Sequence, residues 1–205
     1  MVGRLSSALL LVWATTGACG CSSAPITEEN MEEIVLGGGC FWCVEAVFAD
    51  LRGVLEVESG YMGGHIKRPA YREVCTGRTG HAEVVRVKFD PELLALGDLL
   101  EVFFSAHDPT TLNRQGADVG TQYRSAIFFS DSAQQPVISA AIARAQQHWE
   151  APIVTAVQAV EAFYPAEEYH QDYYALNGEA PYCKAVIAPK LRKVQVSFSH
   201  LMEPR

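Results

Sequence analysis

The chain has 205 residues, a formal net charge of −8 and 49% hydrophobic residues. An acidic balance of this size argues against a nucleic-acid binder, which needs a basic face. No stretch after residue 25 is long and apolar enough to span a bilayer.

The N-terminus reads as a leader. Met1 to Arg4 is a short basic start, and Ala8 to Ala14 is an apolar core of signal-peptide length. Thr16-Gly17-Ala18-Cys19-Gly20-Cys21 resembles a bacterial lipobox, with Cys19 or Cys21 as the lipidated acceptor and Thr16 or Ala18 where Leu is usual. Residues 1–21 are therefore taken as an export signal of lipoprotein type, with an ordinary secretory signal as the alternative. The polar, Pro-containing residues 22–32 form a tether, and 33–205 form one domain without internal repeats. The expected location is the periplasm or cell envelope, with the membrane reached by a lipid anchor only.

Along that domain, Ile34-Val35-Leu36 predicts a strand, Gly37-Gly38-Gly39 a turn, and Phe41, Val44, Val47 or Phe48 and Leu51 a helix. Cys40 then stands at or just before a helix N-terminus, where unpaired N–H groups and the dipole favour an anion, so its thiol is expected to ionise readily. Cys43 lies about one turn on and can face the same way. The pattern is a nucleophile with a second thiol beside it.

Gly53 ends this helix, and Val54 to Tyr61 alternates as a strand. A loop follows through Pro69, then a helical turn within Ala70 to Gly77. His81 to Pro91 alternates again: Glu83, Val85, Val87 and Phe89 fall on one face, Arg86, Lys88 and Asp90 on the other. Glu83 thus shares the core face, where a carboxyl has a raised pKa and stays protonated near neutrality. An ion pair or a strand-end position is the competing reading.

Pro91 to Ala106 is expected to be a helix with Leu93, Leu96, Leu100 and Phe103 as its apolar stripe. The polar loop His107 to Gly120 is long enough to be functional, and its turn formers suggest order. Gln122 to Phe129 predicts a central strand. Asp131-Ser132 caps a helix to Glu150, and Val154 to Ala162 is a further strand. Ala166 to Leu176 reads as a Tyr-rich helix, and Ala188 onward as a polar, basic closing segment. Alternating strands and helices give an open sheet with packed helices, in the α/β or α+β class.

A set of motifs now stands in order: Gly39-Cys40-Phe41-Trp42-Cys43-Val44-Glu45, Gly60-Tyr61, Tyr71-Arg72-Glu73-Val74-Cys75-Thr76-Gly77, Thr79-Gly80-His81-Ala82-Glu83-Val84, His107-Asp108-Pro109-Thr110, Asn113-Arg114-Gln115-Gly116, Asp118-Val119-Gly120-Thr121-Gln122-Tyr123-Arg124-Ser125 and Tyr169-His170-Gln171-Asp172-Tyr173. Together they resemble the methionine sulfoxide reductase A family, over nearly everything from Glu33 to about Cys183. The resemblance implies a two-layer, ferredoxin-like α+β sandwich with a mixed sheet, and reduction of methionine (S)-sulfoxide, free or in proteins. It implies Cys40 as nucleophile, Phe41 and Trp42 as the pocket for the S-methyl group, and Glu83 as the acid. Tyr71 and Tyr123 would hydrogen-bond the sulfoxide oxygen, and Asp118 would help hold the site. It implies a thioredoxin-like reductant and neither metal nor organic cofactor; a monomer is expected.

The thiol that regenerates Cys40 stays open. Cys43 is nearest, although a disulfide across three residues of regular helix is strained; Cys183 occupies the place of a C-terminal resolver or of a third thiol passing electrons outward. Cys75 is expected to be packed. Three other readings compete. An exported thiol–disulfide oxidoreductase also needs a CxxC at a helix start, but thioredoxin-like proteins put Trp before the first Cys, whereas Trp42 lies between the two. A zinc module lacks a second ligand pair. A disulfide-held structural lipoprotein leaves Glu83 and the long loop unexplained.

Overall fold

The structure, a computed structural model, describes residues 30–203, so the leader with Cys19 and Cys21 and most of the tether lie outside it. The last tether residue, Glu32, already belongs to the first strand, β1 (Glu32–Gly38). Ile34, Val35 and Leu36 are fully buried because β1 is a central strand.

Six strands form one mixed sheet. β1 is antiparallel to β3 (Ala82–Phe89) on one side and to β6 (Ser125–Phe129) on the other. β2 (Val54–Met62) continues the sheet beyond β3, and β8 (Tyr164–Pro165) closes that edge. The opposite edge is β7 (Ala156–Ala159), parallel to β6. A separate two-stranded ribbon, β4 (Arg114–Gln115) with β5 (Asp118–Val119), orders the long polar loop.

Helices α1 (Phe41–Phe48), α3 (Leu96–Ala106), α4 (Gln134–Gln146) and α6 (Ala188–Ser197) pack on one face of the sheet. There Ile34, Leu36, Tyr61, Val85, Val87, Phe89 and Ile127 meet Phe48, Leu99, Phe103, Ile138 and Val194 in one apolar cluster. The other face buries a smaller set, Val35, Met62, Ala82, Val84, Ala126 and Phe128. The architecture is a two-layer α+β sandwich. Alternation along β3 sends Val85, Val87 and Phe89 to the helical face with Glu83, while Arg86 pairs with Glu58 and Lys88 with Glu56 on the outer one.

Several elements differ from the sequence reading. Residues 91–95 form turns, and α3 starts at Leu96, because Ala95 is extended (ψ 142°); Leu93 is consequently exposed. Residues 121–123 make a 3₁₀ turn before β6, and β7 is only four residues long. Asp131 does not cap α4: its carboxylate accepts the Ala133 N–H at 2.8 Å in the preceding turn, and the N-cap residue is Ala133, with no side-chain cap. The expected helix 166–176 is broken: a 3₁₀ turn (Glu168–His170) and α5 (Tyr173–Asn177) flank Asp172, whose φ of 50° is left-handed. The basic tail is a helix. A π-helical turn (Cys183–Ile187) leads into α6, whose Leu191 and Val194 face the core between the lysines and Arg192. Cys75 is exposed, not packed.

Candidate active site

β1 runs into Gly39, whose φ of +95° turns the chain, and Cys40 follows as the N-cap of α1 with extended backbone (φ −57°, ψ 123°). Its carbonyl accepts the Cys43 N–H at 3.0 Å and the Val44 N–H at 3.4 Å. The buried Cys43 thiol lies one turn on, and each of the two thiols shifts the pKa of the other. A Cβ on Gly39 would lie 2.6 Å from the Gln115 side chain, besides forcing a positive φ on an L-residue. Gly39→Ala is therefore expected to cost roughly 2 kcal/mol and to displace Cys40. A lower denaturant midpoint with at least about tenfold slower turnover would show it.

Glu83 reaches the same helix end from β3, with Oε2 accepting the Phe41 N–H at 3.1 Å. Its carboxyl is 1% exposed. Burial raises its pKa to about 8, outweighing that hydrogen bond, and the Asp118 and Cys43 charges push the same way.

Cys40, Phe41, Trp42, Tyr71, Glu83, Asp118, Tyr123 and Tyr182 line one pocket of about 150 Å³. Tyr71 comes from the short helix α2 (Tyr71–Val74), Tyr123 from the 3₁₀ turn before β6, and Asp118 from the ribbon. Burial raises the pKa of both tyrosines, so they present O–H donors. Every residue read from the sequence as nucleophile, acid, oxygen ligand or methyl pocket faces this space. Cys43 is buried in the same small apolar cluster as the fully buried Cys183. All four cysteines among the described residues are free thiols.

Neighbouring groups, and not the helix terminus alone, bear on the ionisation of Cys40. The Cys40 thiol is pushed well above its ordinary range by its hydrogen bond with Cys43, by burial and by the Glu83 charge. Cys43 is lowered to about 7, first by the hydrogen bond from Cys40 and with help from the Lys190 charge. The directions of the two shifts make Cys43 the more acidic of the two thiols. A helix terminus read alone could not reveal either the partner thiol's share or the carboxyl's repulsion.

Sequence reasoning gave no role to the residues that fix Trp42 and the wall. Trp42 Nε1 donates to His170 Nδ1 at 3.1 Å, and its ring stacks on Tyr173 at 3.6 Å and 5°. Tyr182 stands edge-on to it at 5.9 Å and 73°. Gln171 pins this segment to β2 by a two-way amide pair with Ser59 backbone, both at 2.9 Å. Glu167 accepts from Tyr61 O–H and Tyr71 N–H, each at 2.9 Å. Buried Glu45 ties Ser59 Oγ (3.0 Å) to Tyr173 N (3.2 Å). The motif Tyr169 to Tyr173 was the available signal. Among the described residues no group of His, Cys, Asp or Glu is arranged to hold a metal ion.

A thiol pair beside a neutral carboxyl and aromatic hydroxyls, on a mixed sheet backed by helices, defines a cysteine-based oxidoreductase. The comparisons make this specific. The family model described as peptide methionine sulfoxide reductase matches residues 32–201. The peptide methionine sulfoxide reductase MsrA of Chromobacterium violaceum is 55% identical over 175 residues, covering 84% of this chain and 99% of that protein. Reduced Mxr1 from Saccharomyces cerevisiae superposes with a TM-score of 0.71 at 32% identity, covering 79% of this chain and 94% of the other. Methionine sulfoxide reductase A of Corynebacterium diphtheriae gives 0.68 at 33%, covering 77% and 78%. The chain belongs to the peptide methionine sulfoxide reductase family, of the MsrA kind.

Proposed function

We propose that this chain reduces methionine (S)-sulfoxide, free or in oxidised proteins, to methionine. The observation that carries the reading is Cys40 and Glu83 lining one small pocket, with the carboxyl neutral up to about pH 8. Sulfoxide oxygen leaves sulfur only when protonated, so the reaction needs a soft nucleophile and a proton source across the S=O bond.

Cys40 attacks the sulfoxide sulfur as thiolate. A proton shift from Cys40 to Cys43 supplies that thiolate, and a protonated Glu83 no longer opposes it. Glu83 protonates the oxygen while Tyr71 and Tyr123 hydrogen-bond it, Asp118 orders the surroundings, and Phe41 and Trp42 enclose the S-methyl group. The oxygen ends on Cys40 as a sulfenic acid and methionine departs. Cys43 is the resolving thiol: Cys40 is the extended N-cap, so their disulfide need not bridge regular helix. Cys183, in the same buried cluster as Cys43, is the further thiol through which electrons can pass. A thioredoxin-like donor restores the dithiol; yeast Mxr1 is known in complex with Trx2. No cofactor enters the chemistry. The pocket is complete within one chain, in keeping with a monomer, and the leader pattern supports export and lipid anchoring for repair of envelope proteins.

Single-turnover mixing of the pre-reduced chain with each separated sulfoxide epimer tests this. One equivalent of the S epimer should be consumed, with loss of two thiols and no use of the R epimer. Consumption of neither, with activity on disulfides instead, would establish the thiol–disulfide oxidoreductase reading in its place.

A further inference from the structure

The Tyr182 hydroxyl is a junction. It donates to Asp118 Oδ2 at 3.2 Å and lies 3.8 Å from Cys43 Sγ. With its proton committed to Asp118, the oxygen has lone pairs free to accept the Cys43 S–H. Tyr182 and Asp118 both line the pocket that holds Cys40. Its ring is held edge-on to Trp42, and the next residue, Cys183, is fully buried, so the hydroxyl is fixed rather than wandering. Burial and the neighbouring sulfurs raise its own pKa, so it passes protons without resting as an anion.

We propose that Tyr182 is a catalytic residue of the second half-reaction, relaying the Cys43 thiol proton to Asp118 as the Cys40–Cys43 disulfide forms. This rests on the function proposed above, with Cys43 as resolver. Cys40 enters this stage as S–OH and Cys43 as S–H. The Cys43 sulfur attacks the Cys40 sulfur; an S–S bond forms and the S–O bond breaks. The Cys43 proton moves to Tyr182 Oη while the Tyr182 proton moves to Asp118. Asp118 lines the pocket together with Cys40 and returns that proton to the departing hydroxide, which leaves as water. One sulfenic acid and one thiol become a disulfide and water, with no outside oxidant or reductant.

Tyr182→Phe removes the hydroxyl and keeps the ring against Trp42. In the full chain, rapid mixing with methionine (S)-sulfoxide follows methionine formation and thiol loss separately, with a 1,3-dione trapping any Cys40 sulfenic acid. Disulfide formation is expected to slow about a hundredfold relative to methionine formation, and trapped sulfenic acid to accumulate. Asp118→Asn, which cannot take the proton and also disturbs the sulfoxide site, should slow disulfide formation further than it slows methionine formation. An unchanged ratio of the two rates in either variant, or equal slowing of both steps, overturns the proposal and leaves Tyr182 as a support for Trp42. A wild-type chain that consumes no sulfoxide overturns the underlying function instead.

Discussion

Cys40→Ser is expected to lose sulfoxide reduction by on the order of 10⁴-fold or more, since a serine hydroxyl in the same place has neither the acidity nor the polarisability of the thiol. Cys43→Ser should behave differently. It still holds Cys40, so it forms one equivalent of methionine and stops with the sulfenic acid intact, which mass spectrometry reads as a single added oxygen. The pair of variants separates nucleophile from resolver. Were Cys183 the direct resolver, Cys43→Ser would go on to lose two thiols and Cys183→Ser would be the one to stall.

Glu83→Gln is expected to lower single-turnover rates by about 10² to 10³, and its pH profile carries more information than the loss. The wild-type rate should rise as the thiol pair ionises around pH 7 and fall as Glu83 gives up its proton around pH 8. Gln has no proton to lose, so the alkaline fall should vanish. Stability should move the other way. The Glu83 pKa is raised on folding from 4.5 to about 8, so the folded state holds the proton more tightly than the unfolded chain. Its contribution is intact below the unfolded value and is lost as pH climbs toward the folded one. At pH 7 that loss is about 3 kcal/mol, and Glu83→Gln escapes it. Urea midpoints of the two proteins should nearly coincide at pH 4.5 and separate in favour of the variant by pH 7.5. A difference that does not grow with pH would mean that Glu83 is not buried as a neutral acid.

Glu83 and Cys40 were legible in the sequence because each sits on a periodic element. Alternation put the carboxyl on the core side of β3, and a glycine turn before an apolar helix put the thiol at its start. The family motifs supplied Tyr71, Tyr123 and Asp118, which no local pattern singles out. Tyr182 escaped because it precedes a π-helical turn, where neither period applies, and its partners Asp118 and Cys43 are 64 and 139 residues away. Residues 166–176 read as one helix because composition does not show a left-handed Asp172. The tail hid its helix because Lys190, Arg192 and Lys193 outweigh Leu191 and Val194 in any average over the segment. The ionisation of Cys40 was hidden for a related reason: it depends first on the partner thiol Cys43 and on burial, and then on a carboxyl 43 positions along the chain, brought close by the pairing of β1 with β3.

The wall made by His170, Tyr173 and Tyr182 follows every strand of the sheet in chain order. During synthesis the thiol pair therefore emerges, and its strands can pair, before the residues that enclose it exist. A growing chain carries Cys40 and Cys43 as open thiols, available to any oxidant or stray disulfide, and becomes a selective site only when its last segment docks. Maturation of the pocket is thus a late event, separable from formation of the sheet.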